Sequence, residues 1–109
     1  MVDGLWTVEF ISSLNRIGKG VIVFNNNRLL GGDSGYYYSG NFTVENDIIT
    51  GTANITRFDV NSISVFGDIG QLSLSFEGSV SGSSINGWAS RRDNPMMRIR
   101  IVCNKKEEI

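Results

Sequence analysis

A chain of 109 residues, 40% hydrophobic and 19% charged, is sized for one globular domain with a modest core. A formal net charge of −1 argues against a surface built for phosphate backbones. With no histidine and one cysteine, intrachain disulfides, zinc sites of the His/Cys type and histidine-based triads are all excluded.

Val, Ile and Thr together number 26 against two Ala, a bias toward the pleated surface and away from helix. Apolar and polar residues then alternate with period two along most of the chain. The first predicted strand, 4–11, sets Trp6, Val8 and Phe10 against Thr7 and Glu9. Strands follow at 18–25, 28–31 and 35–45, the last setting Tyr36, Tyr38, Gly40, Phe42 and Val44 against Tyr37, Ser39, Asn41 and Thr43. Strand 48–58 sets Ile49, Gly51, Ala53 and Ile55 inward, and strand 71–81 does the same with Leu72, Leu74, Phe76, Gly78 and Val80. Strands 84–90 and 96–103 complete the pattern, the last with Met97, Ile99, Ile101 and Cys103 on one face.

The connections Asn25-Asn26-Asn27, Glu45-Asn46-Asp47 and Gly82-Ser83 are short and polar, which imposes antiparallel neighbours. Pro95 falls in a loop, where its missing N–H does no harm. The one long break, 59–70, leaves 61–66 as a short helical turn or an edge segment. Eight short antiparallel strands must hide their edges, and closure does so. The expected fold is therefore all-β, a small eight-stranded up-and-down barrel of residues 1–109, with a β-sandwich as the alternative. The charged run Lys105-Lys106-Glu107-Glu108 predicts a frayed tail over 104–109. No basic leader and no apolar stretch near the ~18 residues of a membrane span are visible, so the expected compartment is the cytoplasm.

No residue pattern assembles an active site. The carboxylates are scattered over turns and strand exteriors; Asp33, after two glycines and before Ser34, reads as the side-chain cap of a turn. Gly31-Gly32-Asp33-Ser34-Gly35 lacks the lysine and helix of a phosphate loop. Cys103 reads as a packed core residue. Trp6, Phe10, Phe42 and Phe76 share the inward face, with Gly40, Gly51, Ala53, Gly78, Gly87 and Ala89 near them. They line either a filled core or a cavity for one small ligand. Tyr37 and Trp88 alternate outward and form a candidate homodimer surface. Residues 91–109 hold six Lys/Arg against three Asp/Glu. With no interleaved aromatics, this basic part reads as a solvated face or as ion pairs to Glu77, and direct nucleic-acid binding is not expected.

The segments Asp3-Gly4-Leu5-Trp6-Thr7-Val8-Glu9-Phe10, Gly18-Lys19-Gly20-Val21, Leu30-Gly31-Gly32-Asp33-Ser34 and Tyr38-Ser39-Gly40 together resemble the GrlR family, negative regulators of bacterial type III secretion. The resemblance implies a lipocalin-like (calycin-like) barrel that forms a homodimer in the cytoplasm and restrains a transcriptional activator by binding it. It also implies partner contact through an acidic run on an exposed turn. Here that run falls on Val44-Glu45-Asn46-Asp47, with acids retained at Glu45 and Asp47. The expected function is accordingly that of a non-enzymatic regulator needing no cofactor and no metal, with partner recognition at Glu45, Asn46 and Asp47. The alternative is a barrel that carries or senses a small apolar molecule.

Overall fold

The computed structural model describes residues 2–13, 15–64 and 69–109. Eight strands follow one another: β1 (Gly4–Ser12), β2 (Ile17–Asn25), β3 (Arg28–Gly32), β4 (Tyr36–Glu45), β5 (Ile48–Arg57), β6 (Gln71–Ser81), β7 (Ser84–Arg91) and β8 (Arg98–Glu108). Each is antiparallel to its neighbour, and β8 returns to pair with β1, closing an up-and-down barrel. Closure leaves no open edge, so the sandwich alternative falls away.

Alternation sorts the residues as period two requires. Trp6, Val8, Ile49, Ile85, Ile99 and Cys103 are the most deeply buried, while Thr43, Asn54, Ser75 and Glu77 lie on the outer wall. An apolar interior within a largely polar outer wall reverses the pattern of barrels that span bilayers. No helix is long and apolar enough to cross a membrane.

The two ends of the barrel differ. At the turn end, β2–β3, β4–β5 and β6–β7 are joined by two-residue turns. Asn26, Asn27, Asn46 and Asp47 all have positive φ (51°, 67°, 52° and 62°), the signature of type I′ hairpins. Gly82 (φ 58°) opens the third turn. Each turn is tied to a strand beyond its own hairpin: Phe42 N–H donates to Asn27 O, Val80 N–H to Asp47 O and Lys105 N–H to Ser83 O, at 2.8–2.9 Å. Trp6, Phe24 and Phe42 plug this end in edge-to-face contacts with centroid separations of 6.0 and 4.9 Å. Trp6 Nε1 donates to Val2 O at 2.8 Å, which satisfies the polar atom of a fully buried ring. The other end carries the longer connections and, among the described residues, is open.

One expectation needs correction here. Residues 104–108 are not frayed: they extend β8, pairing Thr7 with Asn104, Trp6 with Lys105, Leu5 with Glu107 and Gly4 with Glu108 across a bulge at Leu5/Trp6. The start of β1 needs a partner whatever side chains that partner carries, and Lys105 serves on the inward face. Its stem is buried, its Nζ lies 5.9 Å from the Trp6 ring centroid, and it pairs with Glu108 at 2.8 Å. For 61–66 the structure favours the edge segment over the helical turn: Asn61 lies in a turn and Ser64 forms a single bridge, while 65–68, including the acid Asp68, lie outside the described residues.

Candidate functional site

The open end, or mouth, holds a cavity of about 530 Å³. Its walls are Phe10, Tyr36, Ile55, Leu72, Leu74 and Ile99; Arg16, Ser34 and Ser62–Ser64 stand at the rim. Deeper in the barrel the described residues enclose a thin, wholly apolar void of about 40 Å³, bordered by Phe10, Ile22, Phe76 and Cys103 among others. The interior is thus closed at the turn end, nearly filled in the middle and open at the mouth.

The expected aromatic lining therefore divides. Phe10 borders both cavities and Phe76 the inner one, while Trp6 and Phe42 belong to the plug. The small inward residues do not leave room either, because neighbours occupy the space. Gly51 lies between Phe42 and Phe76 across the sheet, and a Cβ there would meet Asn41 O and, at 2.7 Å, the Phe76 ring. Large beside small is how a tapered barrel fills.

Asp33 organises the mouth. Its Oδ1 accepts from the backbone N–H groups of Gly35 (2.9 Å) and Tyr36 (2.8 Å), and its Oδ2 from the Tyr38 hydroxyl. This is the side-chain cap the sequence suggested, extended by a buried phenol. The Tyr38 ring meets Phe10 edge-on at 5.7 Å, and Tyr36 Oη donates to Ile69 O at 2.6 Å. Burial, then the hydrogen bond to Asp33 and its charge, push the Tyr38 phenol far above its ordinary range. A carboxylate accepting three internal donors is committed to holding the β3–β4 connection rather than to acid–base work.

Cys103 is free and buried, and burial pushes its thiol up to about 12. Because the unfolded chain ionises this thiol near 9, stability is expected to fall as pH rises from about 9 toward 12. The slope approaches at most about 1.4 kcal/mol per pH unit. Urea melts at pH 8, 9 and 10 test this, and Cys103→Ala should flatten the fall between 9 and 10. Above 10, Tyr38 adds a loss of the same sign.

The tip formed by Glu45, Asn46 and Asp47 is exposed and lies at the turn end, opposite the mouth. Tyr37 and Trp88 both face outward, each half exposed, but on β4 and β7, with β5 and β6 between them. They form two surfaces rather than one. Tyr37 neighbours Gly32, itself paired with Val21, near the exposed pair Val23 and Leu30. Trp88 sits between Glu77 and Arg100, so the register favours the solvated face over ion pairs to Glu77, with an indole between the two charges. Arg98 stacks over the Trp88 ring at 4.3 Å, and Arg91 pairs with Asp93 at 2.7 Å within the β7–β8 connection. The basic end of the chain does have an aromatic partner. Reading along single strands missed it because Trp88 and the arginines are neighbours only across the ladder.

The sequence matches no known family model and no curated protein. Among the described residues, no group of three or more Cys, Asp or Glu is placed to hold a metal ion.

Proposed function

We propose that this chain is a non-enzymatic binding barrel that takes one small, largely apolar molecule into its mouth. The observation carrying this reading is the 530 Å³ cavity with aliphatic and aromatic walls and a few polar groups at its rim, a size and character suited to a small ligand. A non-catalytic role fits the two most reactive candidates, since Asp33 is engaged by three donors and the Cys103 thiol is held protonated by burial. The test is native mass spectrometry on protein purified gently from its own cells. A retained mass lost on organic extraction supports the reading; a bare chain that also fails to take up any apolar probe overturns it.

A second reading, regulation through a protein partner, is favoured by the rigid acidic tip. A type I′ turn pinned by Val80 N–H presents two carboxylates to solvent on a fixed backbone. Such a tip suits a basic surface on a transcriptional activator, as the GrlR resemblance implies, in type III secretion or another pathway of the cytoplasm. Glu45→Ala with Asp47→Ala should slow association with a partner recovered by pull-down roughly tenfold at low salt, an effect that fades as salt rises. Unchanged binding by a variant of unchanged stability leaves the turn a structural role only. The implied homodimer belongs to this reading, with the outer wall around Val21, Val23, Leu30 and Tyr37 as its candidate face. Light scattering at micromolar concentration tests it.

A further inference from the structure

We propose that the molecule held in the mouth is an apolar monocarboxylate, its hydrocarbon against Phe10, Ile55, Leu72 and Leu74 and its carboxylate on Arg16; this rests on the ligand-binding reading above. Among the described residues, three charged side chains border the cavity: Arg16, Lys19 and Asp33. Asp33 is satisfied by its three internal donors. Lys19 alternates to the outer wall, opposite Glu9 on β1, while the inward positions of β2 beside it are Gly18 and Gly20. Arg16 remains.

The backbone of Arg16 is fixed on both sides by Ser12. Ser12 N–H donates to Arg16 O at 2.9 Å, and Arg16 N–H donates to Ser12 Oγ at 3.1 Å. Asn15, with φ 59°, makes the bend that sets this geometry. The Arg16 guanidinium has no carboxylate or carbonyl partner among the described residues. A permanently charged fork on an anchored backbone at the edge of an apolar cavity matches a carboxylate bidentately. The shallowness of the interior limits the apolar part. Beyond the mouth the void bounded by the described residues is about 40 Å³, which suits a compact or medium-length tail better than a long chain.

The experiment is isothermal titration of the intact protein with three probes of one tail length: decanoate, decanol and decyltrimethylammonium. Decanoate is expected to bind about tenfold or more tightly than decanol, and the cation weakest, as a charge-assisted contact predicts. In Arg16→Gln the preference for decanoate over decanol should disappear, and in Arg16→Lys it should be partly retained. Arg16 is exposed, so both variants are expected to fold; thermal melts verify this. Equal affinity for decanoate and decanol, or an undiminished preference in Arg16→Gln, overturns the assignment of the carboxylate to Arg16 and leaves apolar binding standing. Preference for the cation overturns it in favour of Asp33. Binding of none of the three overturns this inference and the ligand-binding reading together.

Discussion

Trp6→Ala is expected to lower stability by about 3–5 kcal/mol, the usual cost of emptying a large aromatic site in a core. The ring is fully buried, donates to Val2 O, packs edge-on against Phe24 and lies beneath the Lys105 side chain. Its loss leaves a hole in the plug and strips Val2 O of its donor. Against a total stability of roughly 5–15 kcal/mol, that is a large share. Each kcal/mol moves the melting midpoint of a domain this size by about 4–8 °C, so a fall of more than about 10 °C is expected. Trp88→Ala serves as the control. Trp88 is half exposed and its one notable contact is the Arg98 stack, so the cost should stay near 1 kcal/mol or below. Similar melts for the two variants would show that the turn end is not closed by Trp6.

A chain ending at Cys103 is expected to lose roughly 3–6 kcal/mol and to aggregate. Truncation there removes four residue pairs between β1 and β8, the Lys105–Ser83 hydrogen bond and the cover over Trp6. At about 1 kcal/mol per backbone hydrogen bond the loss is of this order, before the exposed indole is counted. The freed edge of β1 also becomes a template for pairing with other chains. A frayed tail would predict no change at all, so denaturant unfolding of the truncated chain separates the two accounts sharply.

The barrel was legible because each strand carries its own instruction. A run such as Leu72-Ser73-Leu74-Ser75-Phe76 fixes which face is inward without reference to any other strand, and Asn26-Asn27 or Asn46-Asp47 fixes a hairpin by backbone preference alone. The cap at Asp33 was legible for the same reason, as a local turn. Relations between strands were not. Lys105 looks like solvent-exposed tail until β1 is known to need a partner. Trp88 and Arg98 are ten residues apart in sequence and stacked in space. The division of the four inward aromatics, with Trp6 and Phe42 in the plug and Phe10 and Phe76 beside the voids, depends on height along the barrel axis. Alternation gives the side of the sheet but not the height. Arg16 was overlooked because it precedes the first regular residue of β2, where the alternation has not yet begun.

The proposed ligand site is the mouth, distinct from the outer wall and the turn end proposed for protein partners. The most direct measurement is a ¹H–¹⁵N spectrum of the labelled protein titrated with decanoate. The account predicts saturable shifts concentrated at Arg16, Gly18, Gly35 and Tyr36, with Asn46, Asp47 and Trp88 unmoved. Shifts spread along the outer wall, or confined to the turn end, would contradict it.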